Sequence, residues 1–506
     1  MSRSVRLAAV AVVAGAALAP PAQATPADVP PSVPAVRDWQ PAAGAFELGA
    51  EPVIVAETAA LRETADVFAA DLRQVTGKPV GSRTGGPAGS GDILLSADEH
   101  DQGRAGYRLT VAPTTVVRGT ADGVFLGTRT LVQWLRQRPR IPAGTATDWP
   151  DYPERGLLVD AGRRYFSLPW LRDRIRELSY LKMNYLHLHL SDVQGFRLDS
   201  ATHPEIVADR HYTKAEIREL VAYAARYHVL VVPELDFPGH ADAVLKAHPE
   251  LALLNRDGTA EKGALDITKP EALALVRDLV TEFLPLFPGP YWHLGADEYI
   301  RNYDDYPRLA AYAKVHYGPN ATGRDALYDF VNWADELVRG NGKTLRVAND
   351  ELSRGGGATR VAPDVVVDHW SADGPLQAPW FGAAQSPREL IAAGHRVQNS
   401  SFTPTYYATG GAAALLNAPP IAMYKLWNPT VFVDGTRLDA NENIRNLGAK
   451  LSVWCDDPTT MTEPEIADAV APRLRVLAQL TWGSAAPPGY LSFLSRTRAV
   501  GTPPAG

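Results

Sequence analysis

Residues 182–192 read Lys182-Met-Asn-Tyr-Leu-His-Leu-His-Leu-Ser-Asp192, a short alternating run that ends in polar side chains. Its length and alternation predict a β-strand at 184–190. Further short apolar runs of this kind occur at 156–160, 229–232, 291–294, 345–347, 365–368, 395–398 and 450–454. Because segments with helical periodicity separate most of them, the eight runs predict an α/β fold, a (β/α)₈ TIM barrel rather than a doubly wound sheet.

Helix starts are marked by capping signals between these strands. Thr213-Lys-Ala-Glu216 precedes a helical pattern at 217–227, and Thr268-Lys-Pro-Glu271 precedes another at 272–287. Both have the spacing of a capping box, in which a Thr and a Glu satisfy backbone amides at a helix start. A last helix is predicted over residues 463–480.

A second, smaller unit precedes the barrel. Strand-like runs at 52–56, 92–96 and 107–117 accompany helical patterns at 61–76 and 123–137, which together predict a small α+β domain. Pro-rich sequence at 148–153 separates this unit from the barrel. The predicted division is therefore a small domain at 37–150, a catalytic barrel at 151–490 and a C-terminal tail at 491–506.

The first residues predict export. Arg3 and Arg6 form a positive start, residues 7–18 are apolar, and Ala22-Gln-Ala24 is a small-residue cleavage site. The apolar run is shorter than the roughly 20 residues that a spanning helix requires. We therefore expect a signal peptide at 1–24, a flexible Pro- and Ala-rich leader at 25–36, and a secreted mature chain without a membrane span.

Composition narrows the function classes. The formal net charge of -7 comes without a basic stripe, so nucleic acid is not an expected partner. The one cysteine, Cys455, excludes an intrachain disulfide framework and a Cys-based zinc cluster. The sequence leaves the oligomeric state open.

The carboxyl ends of the predicted strands carry the candidate chemistry, because barrel active sites lie there. Polar or aromatic residues that follow the runs are Asp160, Arg163, Asp192, Glu234, Asp236, His240, Asp297, Glu298, Asn349, Asp350, Asp368, Trp370, Tyr407, Trp454 and Asp456. The adjacent carboxylates Asp297 and Glu298 are the strongest candidates. Neighbouring strand residues point to opposite faces, so these two are poorly placed as an acid and nucleophile about 5 Å apart.

Substrate assistance resolves this difficulty. The 2-acetamido oxygen of the sugar would attack the anomeric carbon, Glu298 would protonate the leaving oxygen, and Asp297 would orient and stabilise the developing oxazolinium. This assignment requires a 2-acetamido sugar as the substrate.

At this point four segments resemble glycoside hydrolase family 20, the exo-β-N-acetylhexosaminidases. They are Arg155-Gly-Leu-Leu-Val-Asp-Ala-Gly-Arg-Arg164, Lys182 to Arg197, Pro233-Glu-Leu-Asp-Phe-Pro-Gly-His240 and His293-Leu-Gly-Ala-Asp-Glu298. The resemblance extends over about residues 35–482. It implies a β-linked N-acetylhexosamine oligosaccharide or glycoconjugate as the substrate and no cofactor or metal.

The resemblance also implies roles for individual residues. Arg155 is similar to the arginine that grips hydroxyls of the terminal sugar, and Asp192 and His240 resemble accessory residues near the acid/base. Trp370 and Trp454 resemble aromatic walls of the sugar site. Finally, Tyr407 resembles the tyrosine whose hydroxyl binds the acetamido oxygen.

The later strands depart from the family pattern. Many members have Gly-Trp-Asp-Glu where this chain has Ala348-Asn-Asp-Glu351, so one tryptophan wall is absent from that position. Tyr-Leu-Asp is replaced by Tyr407-Ala-Thr409, and Trp-Gly-Glu by Trp454-Cys-Asp456. Asp456 therefore takes the place of a residue that usually helps to bind the 4- and 6-hydroxyls, and a more open pocket is expected.

Three alternatives remain open at this point. An open pocket fits a lacto-N-biosidase-like enzyme that releases a disaccharide, although Arg155 favours plain exo-cleavage. A secreted glycan-binding protein without activity is disfavoured by the intact Asp297 and Glu298. A metal-dependent hydrolase would need converging ligands, and His187 and His189 share one strand face without an evident third ligand.

Overall fold

The computed structural model describes residues 29–98, 105–354, 357–371 and 384–505. The predicted signal peptide lies outside these ranges and stays a prediction. Among the described residues, no helix combines the length and the apolar character that crossing a membrane requires.

The small domain is a seven-stranded mixed sheet with two helices, in the strand order β1-β7-β5-β6-β4-β2-β3. Its strands are β1 (Asp38–Glu47), β2 (Val53–Ala56), β3 (Gly81–Thr84), β4 (Ile93–Ala97), β5 (Tyr107–Val111), β6 (Thr115–Gly119) and β7 (Arg140–Asp148). Its helices are α1 (Arg62–Thr76) and α2 (Ala121–Gln137). The run at 107–117, predicted as one strand, is an antiparallel pair because the chain turns at Pro113.

Eight parallel strands close the barrel, as the sequence predicts. They are β8 (Glu154–Asp160), β9 (Tyr185–His189), β10 (Leu230–Glu234), β11 (Tyr291–His293), β12 (Thr344–Ala348), β13 (Val366–His369), β14 (Val397–Asn399) and β15 (Asn446–Trp454). Closure occurs through β15, which pairs with β14 on one side and β8 on the other. Short strands outside the barrel are Ser191–Asp192, Gly195–Leu198, Val207–Tyr212, Ala252–Leu254, Ala260–Leu265 and Tyr406–Ala408.

Helices fill the connections between the strands. They are α3 (Leu168–Tyr180), α4 (Lys214–Arg226), α5 (Asp242–Ala247), α6 (Pro270–Phe283), α7 (Pro307–Tyr317), α8 (Gly323–Arg339), α9 (Pro387–Ala392), α10 (Phe402–Thr405), α11 (Pro420–Leu426), α12 (Glu463–Trp482) and α13 (Tyr490–Val500). The capping box at Thr213 forms as predicted. The box predicted at Thr268 does not, because its hydroxyl donates to Asp266 at 2.6 Å and the helix begins one residue later, with Lys269 at the N-cap position and no side-chain cap.

The predicted flexible leader and the predicted C-terminal tail are both packed where the structure describes them. The Val33 amide donates to Gln133 of α2 at 2.8 Å, and the Ala35 amide donates to Gln479 of α12 at 3.0 Å. Residues 29–36 therefore join the small domain to the barrel and are not a flexible leader. The predicted C-terminal tail contains helix α13, whose Phe493 and Val500 are buried.

The barrel interior contains paired charges as well as aliphatic side chains. Arg346 donates to Glu154 at 2.9 Å and to Asp368 at 2.6 Å. The ammonium of Lys450 contacts Asp368 and lies 2.9 Å from Nδ1 of His187. Buried charges persist only when they are paired, so this network holds the strands in fixed positions beneath the carboxyl-end face.

Candidate active site

Asp297 and Glu298 lie in the loop after β11 and not in the strand itself. The strand ends at His293, and the backbone enters the left-handed region at Ala296 (φ 63) and Glu298 (φ 47). Residues other than glycine rarely adopt this backbone conformation, so surrounding contacts must stabilise it. Because the two carboxylates lie outside the strand, strand alternation does not set their directions, yet they still face different cavities.

Asp297 faces an inner cavity with aromatic walls. Trp370, Tyr406 and Trp454 line it together with Asp297, and its remaining lining includes the buried polar groups His187, Glu234, His293, Asp368 and Lys450. The rings of Trp370 and Tyr406 stack with centroids 6.0 Å apart, and the Tyr406 ring lies 5.8 Å from that of Trp454. This arrangement provides apolar faces around one carboxylate, as a sugar-binding pocket requires.

Glu298 faces an outer groove of about 490 Å³. The groove is polar and carries charges of both signs. Its lining residues include Val193, His240, Asp242, Glu261, Lys262, Arg301, Arg324 and Asp350.

His240 connects the two carboxylates. Its Nε2 lies 3.4 Å from Oε2 of Glu298 and 3.8 Å from Oδ2 of Asp297. Its Nδ1 lies 3.4 Å from Oδ1 of Asp192. Burial opposes a charged imidazole, but Asp236, Asp192 and Glu298 outweigh burial and raise the pKa of His240 well above its ordinary value.

A chain of polar contacts continues from Asp192 into the barrel. Nε2 of His189 lies 2.9 Å from Asp192, and Nδ1 of His189 lies 2.8 Å from Glu234. These buried groups determine the orientation of Asp192 and, through it, that of His240. Asp192 and His240 are thus brought together with the candidate acid, as predicted, although their catalytic roles stay predictions.

The two candidate carboxylates differ in pKa. Burial raises the pKa of Asp297 above its ordinary value. Burial also acts to raise the pKa of Glu298, but the hydrogen bond and charge of His240 outweigh it and the pKa lies below the ordinary value. One proton is therefore available between Glu298 and His240.

Asp350 has a positioning role that sequence reasoning did not assign. It accepts hydrogen bonds from the indole N–H of Trp370 at 2.9 Å and from the backbone amide of Glu298 at 2.8 Å. One side chain thus fixes both the aromatic wall and the backbone of the candidate acid. The position of Asp350 directly after β12, at the carboxyl end of a barrel strand, is the feature of the sequence that could have indicated this role.

Asn349 does not form a wall of the cavity. It is fully buried, and its side-chain oxygen accepts from the backbone amide of Trp370 at 2.8 Å. Its amide group donates to the carbonyl of Ser371 at 3.0 Å. The residue that replaces the common tryptophan therefore supports the backbone of Trp370 and is not among the described residues that line the cavity.

The structure contradicts the prediction that Arg155 contacts the sugar. Arg155 lies at the amino end of β8, where its buried guanidinium donates to the carbonyls of Lys182 at 2.9 Å and Tyr152 at 2.8 Å. Arg163, which follows β8 at its carboxyl end, is the arginine of this segment that lies near the candidate site. Arg163 lies 3.1 Å from Asp160 and 2.9 Å from Asp192.

The prediction for Tyr407 is wrong by one residue. Tyr406 and Tyr407 are neighbours in a strand, so their side chains point to opposite faces. Tyr407 donates to the sulfur of Met461 at 3.4 Å and lies under the guanidinium of Arg473. Tyr406 is the tyrosine that lines the cavity.

Trp454 and Asp456 lie beside Arg163 at the end of β15. The guanidinium of Arg163 lies 5.2 Å from the ring centroid of Trp454 and 4.0 Å from Asp456. Asp160 accepts from the amide of Cys455 at 3.0 Å, which fixes this strand end. Because the Asp456 side chain is 36% exposed, this edge of the site is open to solvent.

His187 has neighbouring groups of the kind that bind metals. Its Nε2 lies 3.0 Å from Glu234, and the ligand atoms of His187, Glu234 and His293 lie within 4.8 Å of one another. The Lys450 ammonium beside His187 supplies the positive charge that a metal ion would bring. We therefore interpret this group as part of the paired-charge network.

The family comparison agrees with this site. The model of the glycosyl hydrolase family 20 catalytic domain matches residues 152–485, and that of the family 20 domain 2 matches residues 30–149. The chain belongs to glycosyl hydrolase family 20. As a family 20 member, it is a glycoside hydrolase.

Several family 20 relatives are similar along most of the chain. A lacto-N-biosidase from Bifidobacterium bifidum is 30% identical over 466 residues, which cover 90% of this chain and 40% of the relative. A beta-N-acetylhexosaminidase from Cellulomonas fimi is 27% identical and 86% of each chain is covered. The chain thus spans less than half of the first relative and most of the second.

Solved family 20 structures have the same architecture. A mutant Streptomyces plicatus beta-hexosaminidase in complex with the product N-acetylglucosamine superimposes with a TM-score of 0.74 at 25% identity, covering 95% of both chains. An exo beta-N-acetylglucosaminidase from Vibrio harveyi has a TM-score of 0.76 at 19% identity, covering 94% of this chain and 77% of the other. The second likeness supports the fold alone.

Proposed function

We propose that this family 20 chain is a β-N-acetylhexosaminidase that removes terminal non-reducing N-acetylhexosamine from β-linked glycans with retention of configuration. The observation that carries the proposal is that Asp297 and Glu298 are adjacent in sequence but face different cavities. A carboxylate beside the sugar and an acid beside the leaving group are what substrate assistance requires.

In the proposed first step, the acetamido oxygen attacks the anomeric carbon and the glycosidic bond breaks. Asp297 lies among the aromatic walls, where it orients the acetamido N–H and stabilises the oxazolinium charge. The Asp297 side chain is only 18% exposed, so few water molecules screen this interaction. Water then attacks the anomeric carbon, the oxazoline ring opens, and the acetamido group is restored.

Glu298 transfers the proton in both steps. Its side chain is 40% exposed towards the groove, where the leaving oxygen would lie. His240, 3.4 Å away, shares one proton with Glu298. The proton moves to the leaving oxygen, and Glu298 then accepts a proton from the attacking water.

The remaining cavity residues position the sugar. Tyr406, rather than Tyr407, is placed for its hydroxyl to bind the acetamido oxygen. Arg163 presents a guanidinium suited to sugar hydroxyls, beside the ring of Trp454. Trp370 closes another wall, and its hydrogen bond to Asp350 keeps the ring in place.

Disaccharide release is a second candidate. Asn349 stands where many family members have a tryptophan and is not among the described residues that line the inner cavity, and the Asp456 side chain is 36% exposed beside Arg163. These features would admit a sugar substituent that a closed pocket excludes. The similarity to the Bifidobacterium lacto-N-biosidase supports the same possibility.

Parallel assays with two aryl glycosides separate the candidates. The purified chain is given the p-nitrophenyl β-glycosides of N-acetylglucosamine and of lacto-N-biose. Release from the monosaccharide glycoside is expected. Release from the disaccharide glycoside alone would show that the chain is a biosidase and not an exo-hexosaminidase. Release from neither glycoside would contradict the proposal.

The proposed site of action is extracellular. Support comes from the positive, apolar and small-residue segments at 1–24, which have the order of a signal peptide. Expression of the full chain in a bacterial host tests this, with the N-terminus of the exported protein determined by mass spectrometry. We expect cleavage after Ala24, and retention of the uncleaved chain in the cytoplasm would contradict it.

A further inference from the structure

Two surface segments outside the active site bring imidazole and carboxylate groups together. His203 and Glu205 lie at the turn Pro204–Ile206, and His248 follows helix α5. Nδ1 of His203 lies 3.1 Å from Oε1 of Glu205, and Nε2 of His248 lies 2.8 Å from the same oxygen. Their ligand atoms all lie within 4.8 Å of one another.

These separations suit a tetrahedral metal site. Zinc bonds of about 2.0–2.1 Å to nitrogen and oxygen place ligand atoms roughly 3.3 Å apart. Two of the three donor separations, 3.1 Å and 2.8 Å, are close to that spacing, and the third is at most 4.8 Å. Partial exposure of the three side chains, between 17% and 41%, leaves a path for an ion from solvent.

The second nitrogen of each histidine provides an independent observation. Nε2 of His203 lies 3.4 Å from Oδ2 of Asp278, and Nδ1 of His248 lies 3.2 Å from Oε1 of Glu250. A metal-binding imidazole usually directs its other nitrogen to a carboxylate or carbonyl, which fixes the ring and increases its basicity. Both histidines therefore have the environment of a metal ligand.

The local charge also favours a divalent cation. Glu205, Glu250 and Asp278 contribute three negative charges around the two imidazoles. Lys269 contacts the backbone carbonyl of Glu250, so its ammonium offsets part of this charge. A divalent ion at the junction of the three donors would balance the remainder.

We propose that His203, Glu205 and His248 bind one divalent ion of the zinc class, with water as a further ligand. Two nitrogen donors and one carboxylate oxygen suit zinc, nickel or copper better than magnesium or calcium. The ion would fasten the turn Pro204–Ile206 to the end of α5. Because His240 lies two residues before that helix, bound metal would stabilise the segment that carries it.

Titration of the tag-free full-length chain with Zn²⁺ tests the proposal. After EDTA treatment and buffer exchange, calorimetry is expected to give one ion per chain and Tm is expected to rise with added Zn²⁺. Co²⁺ should give the visible absorption of a tetrahedral site. Absence of stoichiometric binding of either ion would overturn the proposal.

Variants locate the ion. The double variant His203→Gln/His248→Gln is expected to lose the site, and Glu250→Gln to weaken it by roughly 10-fold. His211→Gln is the matched control, because its ring contacts only a backbone carbonyl in its own segment, at 2.8 Å. Metal-free Tm values equal to that of the parent would verify folding, and unchanged affinity in the double variant would overturn the assignment.

Discussion

Nε2 of His240 lies 3.4 Å from Oε2 of Glu298, and both residues line the outer groove. The imidazole has a raised pKa and the carboxyl a lowered one, so they hold one proton between them. In the proposed mechanism, this pair would determine the pH range in which Glu298 acts as the acid.

Replacement of His240 by Asn should move the basic limb of the kcat/KM pH profile to lower pH. With His240 present, the pair keeps its proton above the ordinary imidazole pKa of 6.5 and loses activity only at higher pH. Without it, Glu298 holds the proton alone, with an ordinary pKa of 4.5 that burial raises. The basic limb of kcat/KM should therefore move down by at least about one unit. An unchanged limb would exclude His240 from the shared proton.

Replacement of Glu298 by Gln should abolish hydrolysis of natural glycans but preserve binding. Loss of the acid should lower kcat by about 10²–10⁴-fold for poor leaving groups. Aryl glycosides with acidic phenols need less protonation and should lose less activity. The check is a series of aryl leaving groups, together with calorimetric binding of N-acetylglucosamine. Equal losses along the series would remove Glu298 from the acid role.

The two neighbouring tyrosines form a matched pair. Tyr406→Phe removes a hydroxyl from the cavity and should lower kcat/KM by roughly 10-fold, as expected for one lost hydrogen bond. Tyr407→Phe changes only the contact with Met461 and should leave kcat/KM within about twofold. Steady-state kinetics on one aryl N-acetylglucosaminide distinguishes them. The reverse order of effects would place Tyr407 in the site instead.

Arg163 and Arg155 provide a second pair. Arg163→Lys should raise KM because an ammonium cannot reproduce a forked contact with sugar hydroxyls. Arg155→Lys should leave KM unchanged but lower the free energy of unfolding by about 1–3 kcal/mol, since buried carbonyls lose their donors. Kinetics and thermal unfolding of both variants give the check. A KM effect confined to Arg155→Lys would reverse the assignment.

The barrel could be predicted from the sequence because each of its strands is marked by a local sequence pattern. Each strand is a short apolar run, and the positions of its polar end residues follow from the architecture. The strand β1 was missed because its sequence contains Pro41 and Gly44 and lies at a sheet edge with a register shift, where such residues are tolerated.

Site residues were harder to assign in strands, because a shift of one position moves a side chain to the opposite face of the strand. Tyr406 and Tyr407 are adjacent and chemically alike, so the sequence gives no basis for choosing between them without the register of β15. Arg155 and Arg163 both belong to one matching segment, yet they lie at opposite ends of β8. Their distinction required knowing which end of the strand faces the cavity.

The most direct test of the account compares two substrates that differ only in the 2-substituent. The p-nitrophenyl β-glycosides of N-acetylglucosamine and glucose share a leaving group and linkage. Substrate assistance through Asp297 predicts rapid hydrolysis of the first and at least about 10³-fold slower hydrolysis of the second, which lacks the attacking oxygen. Comparable rates on the two glycosides would contradict it.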